Sequence, residues 1–233
     1  MSSKSIPKEM KSIQVVEYNK PYKINTVPVP TSLSPHDLLI KIAVASNCHT
    51  ETLVSAGVFG TKLPCTASHE GSGTVADLGS AAKDAGFKVG DRIMCGIPYQ
   101  PCGECGDCKG GRGTEQYCTN VKGMNGVTID GYFAEYAKVD CRTSTKLPDA
   151  VTFLSAAPLA CAGRTIWRGV LQTGLESGQW VVIVGSGGGL GHLGIQFAKA
   201  LGLKVIGVDA RDEGLELSKH YGADVVSDAR KGK

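Results

Sequence analysis

The sequence predicts an α/β chain of two successive domains, a β-rich one over residues 1–154 and an alternating β-α-β one over residues 155–233. Three observations carry that prediction. Before Pro148 the apolar residues alternate in short runs separated by Gly, Pro and Asp, the period of strands with one covered face. After it, Trp180–Val184 (WVVIV) is a continuous apolar run of the kind a parallel sheet buries. Between that run and the helical pattern that follows stands GSGGGLG, Gly185 to Gly191, a strand-to-helix turn.

Taken in order, Lys11–Tyr18 is the first predicted strand, and Leu38, Ile40, Ile42 and Val44 form one face of another. His49–Ser55 is a short helix. Gly73–Leu78, Val89–Met94 and Tyr132–Val139 add strands, giving a barrel-like or sandwich-like first domain. Val151–Pro158 and Cys161–Gln172 are predicted helical. Then come strand Trp180–Val184, helix Leu190–Leu201, strand Lys204–Asp209, helix Glu213–Tyr221 and strand Asp224–Val226. That βαβαβ succession is the mark of a parallel sheet.

Composition bounds the function. With 42% hydrophobic and 20% charged residues, the chain falls among globular proteins able to bury a core. Its net charge is +3 and its basic residues are scattered, which argues against a nucleic-acid or membrane-surface partner. No apolar run reaches membrane-span length, and the N-terminus has no apolar signal core. Nine cysteines at uneven spacing fit metal binding better than a disulfide framework, so a reducing, cytoplasmic compartment is expected.

Four of those cysteines fall within Cys102–Cys118 (CGECGDCKGGRGTEQYC), with two successive two-residue spacings. Such spacing lets Cys102, Cys105, Cys108 and Cys118 point at one centre, a tetrahedral zinc site rather than four unrelated thiols. Gly103, Gly106, Gly110, Gly111 and Gly113 supply backbone that can wrap a metal. Four thiolates leave no open position, so this zinc is structural.

The glycine turn points to a dinucleotide. Gly185, Gly188, Gly189, Leu190 and Gly191 follow a strand and open a helix, where backbone can approach a pyrophosphate at the helix N-terminus. A strict G-x-G-x-x-G occurs at Gly189, Gly191 and Gly194 but begins late; Gly185, Gly188 and Gly191 make a turn one residue longer than the fingerprint. Asp209 ends the next strand, where an acid accepts from the ribose hydroxyls and repels a 2′-phosphate. NAD is therefore expected over NADP, with Arg211 the one nearby feature that favours the phosphate.

Three further stretches carry metal-ligand types: SNCHTE around Cys48, SHEGSG around His69 and LACAGRT around Cys161. Singly, each has a plain reading, a small buried thiol or a hydrogen-bonded structural histidine. With VGDR at Val89–Arg92, the cysteine stretch, PLACAGRT at Pro158–Thr165 and GGLG leading into QFAK at Gln196–Lys199, they resemble, in order, the zinc-dependent medium-chain alcohol dehydrogenases of yeast type.

That resemblance implies a GroES-like, β-rich catalytic domain followed by the first half of a Rossmann domain. It places Cys48, His69 and Cys161 as ligands of a catalytic zinc, with Glu70 a carboxylate that can approach the metal and Glu51 the acid that orients His69. It places His49 at the cofactor pyrophosphate, Thr165 at the nicotinamide end and Tyr99 in the substrate pocket. The implied reaction moves a hydride between a small primary or secondary alcohol and NAD, with zinc as Lewis acid and Thr50 accepting the alcohol's proton. A full-length relative is expected to be a homo-oligomer.

The sequence also departs from that family. Leu53 stands where a histidine often relays the proton to solvent, and Ser68 replaces a glycine before His69. Cys65 reads as a buried thiol. Three Rossmann strands precede Lys233, so roughly 60–75 residues of that fold, and the strands expected to carry oligomer contacts, are missing by typical element lengths. The competing readings are a C-terminally truncated, inactive zinc-binding product and a zinc-free quinone or enoyl reductase relative. The complete Cys48/His69/Cys161 set disfavours the latter.

Overall fold

A computed structural model describes residues 6–110 and 113–231, so Gly111 of the cysteine stretch lies outside the described residues. The chain divides into two units, Met1–Ala160 and Cys161–Lys233.

The first unit runs β1 (Glu9–Val15), β2 (Lys23–Pro28), β3 (Asp37–Ser46), helix α1 (His49–Ser55), β4 (Cys65–Thr66), β5 (Glu70–Leu78), α2 (Ser80–Asp84), β6 (Arg92–Met94), β7 (Pro98–Tyr99), α3 (Gly106–Lys109), β8 (Gly123–Met124), β9 (Tyr136–Asp140), β10 (Thr145–Lys146) and α4 (Phe153–Pro158). These strands pair antiparallel, in sheets of order β2-β1-β4, β10-β6-β5-β3-β9 and β7-β8. The expected alternation along β3 appears only in its second half. Asp37, Leu38, Leu39 and Ile40 are all buried, because β3 is covered on both faces there. Leu38 and Ile40 pack with Val75, Ile93, Tyr132 and Val139, whereas Leu39 packs with Met10 and Val29.

Helix α4, which spans the boundary expected near residue 155, packs against β3 and β5 and counts with the first unit. Thr152 caps it, accepting from Ser155 N at 3.1 Å. Ser72 Oγ donates to Phe153 O at 2.8 Å, and the Arg92 guanidinium lies 4.8 Å from the Phe153 ring centre. Pro158, which has no N–H to donate, ends α4, and a π-helical turn, Leu159–Gly163, follows.

In the second unit α5 (Arg164–Gln172) leads to β11 (Trp180–Val184), α6 (Gly191–Ala200), β12 (Lys204–Asp209), α7 (Asp212–His220) and β13 (Val225–Asp228). The three strands are parallel in the order β11-β12-β13. This is the expected βαβαβ succession, with one correction. Strand β11 alternates: Val181 and Ile183 join the core with Ile195, Ala198, Leu203 and Val205, while Trp180, Val182 and Val184 are exposed on the opposite face. Among the described residues no helix is long and apolar enough to cross a membrane.

Candidate metal centres and dinucleotide turn

The sequence CHTE, Cys48 to Glu51, forms the start of α1 as a capping box. Glu51 sits at the third helical position, where its charge also suits the helix N-terminus. Its Oε2 accepts from the Cys48 backbone N–H at 2.6 Å. Its Oε1 lies 2.6 Å from His69 Nδ1 and 3.2 Å from His69 N. Both residues are buried, Glu51 at 1% and His69 at 2% exposure, so the carboxylate fixes the ring without competition from water. With Nδ1 held by a carboxylate, the ring presents Nε2 to a metal.

His69 and Glu70 lie at the head of β5, just after Ser68, whose φ of 70° is unusual for a residue with a side chain. The surrounding glycines show why the turn is held. A Cβ on Gly126 or Gly131 would lie 2.1 or 1.9 Å from the Ser68 carbonyl oxygen, so only glycine admits that packing. A donor atom from each of Cys48, His69 and Glu70 lies within 4.8 Å of the others. Thiolate, imidazole and carboxylate form a donor set that fits zinc.

The other expected residues are placed as follows. Thr50 is half-buried on α1, one residue before Glu51, and His49 is exposed at the helix start. Leu53 is half-buried on the same helix. Cys161 is the first residue of the second unit, half-buried in the π-helical turn. Thr165 is exposed in the first turn of α5.

The cysteine stretch folds as a lobe around its sulfurs. Cys102, Cys105, Cys108 and Cys118 bring their Sγ atoms within 4.8 Å of one another. Helix α3 carries Cys108 and starts after Cys105, and a short 3-10 turn, Glu115–Tyr117, delivers Cys118. Backbone N–H groups of Glu104 and Cys105 donate to Cys102 Sγ at 3.5 and 3.4 Å, which holds that thiol down at about 6. Desolvation and then the neighbouring thiols push Cys108 up to about 12. Four sulfurs this close cannot all carry charge without a cation between them, and a cation is what the donor set fits.

In the turn after β11, three glycines are demanded by the protein itself. Gly185 has a φ of 70°. A Cβ on Gly187 would lie 2.2 Å from Gly214 Cα, and one on Gly191 would lie 2.3 Å from Gly185 O. Gly189 is different: a Cβ there meets no protein atom within 4 Å, so its bareness leaves a cradle open to a ligand. Gly188 is intermediate, 3.1 Å from Gly185 O, and Leu190 is exposed where α6 begins.

Asp209 closes β12 against this turn. It accepts from Gly187 N at 3.0 Å and from Ala210 N and Arg211 N at 2.9 and 3.0 Å. The Arg211 side chain, 3.3 Å away, and those backbone groups hold its carboxyl down at about 2. The acid is therefore ionised and fixed at the strand end.

Other residues take roles that the sequence did not indicate. Tyr99 donates its hydroxyl to the fully buried Asp37 at 3.0 Å. It lines a cavity of about 540 Å³ that contains none of the metal-donor residues. Cys65, by contrast, is the buried thiol that the sequence indicates, pushed up to about 12 by burial. Ser46 has its hydroxyl 2.5 Å from Glu70 Oε2, a contact that no motif announces. Gly187, overlooked within the glycine run, is required by Gly214 across the turn.

Residues 34–149 match the family described as alcohol dehydrogenase GroES-like domain, and residues 189–233 match the zinc-binding dehydrogenase family. An alcohol dehydrogenase of Geobacillus stearothermophilus is 39% identical over 221 residues, covering 93% of this chain and 63% of that protein. The crystal structure of the alcohol dehydrogenase from Aeropyrum pernix matches with a TM-score of 0.83 at 34% identity, covering 95% of this chain and 65% of that one. A cobalt- and zinc-bound thermostable alcohol dehydrogenase from Pyrobaculum aerophilum matches with a TM-score of 0.82 at 27% identity, over 94% of this chain and 64% of that one. The chain thus spans a little under two thirds of the length of these relatives. It belongs to the zinc-binding alcohol dehydrogenase family, with a GroES-like domain followed by a partial Rossmann domain.

Proposed function

We propose that this chain serves a zinc- and NAD-dependent alcohol dehydrogenase reaction, a hydride transfer between a small primary or secondary alcohol and NAD that gives an aldehyde or ketone. The observation that carries the reading is the buried carboxylate of Glu51 on His69 Nδ1, beside Cys48 and Glu70. In this reading Cys48, His69 and Cys161 hold the catalytic zinc, and the four lobe cysteines hold a structural one. The sequence PLACAGRT, Pro158 to Thr165, supports the membership of Cys161 in the set by its resemblance to the family's motif. When bound, zinc supplies Lewis acidity toward the alcohol oxygen and NAD supplies the hydride acceptor.

The chain's residues bind and orient around these groups. Thr50 accepts the alcohol's proton at its hydroxyl oxygen and releases its own to water, since Leu53 offers no side-chain relay. Backbone at Gly185, Gly188, Gly189, Leu190 and Gly191 receives the pyrophosphate, with His49 as its side-chain partner and Thr165 toward the nicotinamide. Asp209 receives the ribose hydroxyls and disfavours a 2′-phosphate by charge. None of the nine cysteines is in a disulfide, which supports a reducing, cytoplasmic setting.

The test is zinc content, NADH affinity and alcohol-dependent NADH formation on the 233-residue chain. Two zincs per chain with turnover is the expected result. One zinc or none overturns the metal assignment, and two zincs with NADH bound but no hydride transfer overturns the activity.

A further inference from the structure

Ser46 and Glu70 are direct partners across the β3–β5 pairing, and their side chains meet on the side of Cys48 and His69. The Ser46 hydroxyl donates to Glu70 Oε2 at 2.5 Å, a short, charge-assisted bond to a carboxylate only 2% exposed. A second serine secures the first. Ser68, fully buried, donates its hydroxyl to Ser46 O at 2.9 Å and accepts from Glu70 N at 3.3 Å. Ser68 makes this bridge from a left-handed backbone, with a φ of 70°. Two serines thus hold one acid from its side chain and its backbone.

That acid is close enough to matter. A Glu70 oxygen lies within 4.8 Å of the Cys48 and His69 donor atoms, so a modest swing would make it a metal ligand. A metal closed by a fourth protein ligand has no position for substrate. We propose that Ser46 is a positioning residue that holds the Glu70 carboxylate beside the metal rather than on it, keeping one ligand position open. This rests on the assignment of a metal to Cys48 and His69. The physical basis is competition: an oxygen that accepts the Ser46 proton gives up part of its lone-pair density and its freedom to turn toward a cation.

The test uses the full chain loaded with Co(II), following the visible spectrum and the rate of release to a chelator. Ser46→Ala, Ser46→Thr, Glu70→Gln and the Ser46→Ala/Glu70→Gln double variant are compared with the parent. The lobe site is common to all five proteins, so differences report the Cys48–His69 site. Ser46→Ala is expected to slow release from that site roughly tenfold and to shift its absorption, as the carboxylate released from Ser46 takes up the metal. Ser46→Thr keeps the hydroxyl and behaves as the parent. In the Glu70→Gln background the alanine change has no effect. Equal release from Ser46→Ala and the parent overturns the inference, as does an effect that persists without Glu70. A parent that binds one cobalt per chain overturns the underlying metal assignment instead, so the two failures are distinguishable.

Discussion

Glu51 Oε1 lies 2.6 Å from His69 Nδ1 while the other oxygen of the same carboxylate takes the N–H of Cys48. The cap of α1 and the aim of the histidine are therefore one device, and a change at Glu51 reaches both. Glu51→Gln keeps the shape but gives one of its two positions an NH2 that cannot accept. We expect a stability loss of about 1–3 kcal/mol in urea unfolding, from a buried donor left unsatisfied. Metal affinity is expected to fall roughly 10–100-fold, measured by chelator competition. Lost stability with unchanged metal affinity would show that Glu51 is only a helix cap.

The lobe carries stability rather than chemistry. Its four thiols converge from a segment whose described residues form one four-residue helix and one 3-10 turn, so a cation among the sulfurs would add much of its stability. Structural zinc in small folds contributes roughly 10–16 kcal/mol of apparent binding energy. Cys105→Ser is expected to lose one zinc per chain and to lower the melting temperature before any effect at Cys48 and His69. A variant that lost that zinc yet melted with the parent would sink this assignment.

Much of this architecture is legible in the sequence because it rests on local spacing. The lobe follows from cysteines two residues apart, and α1 from CHTE, whose acid sits three residues after the cap. Strand β2, KINTVP, was not legible, since an edge strand paired only with β1 needs no buried face: Ile24 is exposed and no apolar alternation appears. The double-sided burial of Leu38, Leu39 and Ile40 needs two clusters assembled from distant segments. Ser46 escaped for the same reason. A serine has no signature until the strand pairing sets it opposite Glu70.

The glycine turn separates two kinds of glycine, and substitution can tell them apart. Gly187→Ala forces a Cβ to 2.2 Å from the Gly214 backbone, which cannot retreat as a side chain can. Overpacking of this kind costs about 1–3 kcal/mol, to be read from unfolding midpoints. Gly189→Ala meets nothing within 4 Å, so its stability should match the parent. Its NADH affinity, measured by fluorescence titration, should fall, because the new methyl occupies the cradle proposed for the pyrophosphate. Intact NADH binding in a stable Gly189→Ala chain would move the cofactor away from this turn.

Acid should loosen the second unit through its aspartates. Asp209 is held down at about 2, chiefly by Arg211. Asp224 is lowered by Lys199, and Asp228 lies well below the usual carboxylate range beside Arg230. Unfolded aspartate titrates near 3.9, so between about pH 4 and pH 2 the unfolded chain binds more protons than the folded one. The stabilisation is complete above that window and is lost as pH falls through it. Salt divides the contributions: the ion pairs of Asp224 with Lys199 and of Asp209 with the exposed Arg211 side chain will be screened, whereas the backbone bonds to the buried Asp209 carboxylate will not. Both tryptophans, Trp167 and Trp180, lie in this unit, so their fluorescence reports its unfolding. Urea midpoints taken from pH 5 to pH 2 should fall steeply at low salt and less steeply at high salt. Asp209→Asn should remove most of the slope that survives in high salt. An unchanged slope in that variant would mean that the bonds from Gly187, Ala210 and Arg211 do not hold Asp209 ionised.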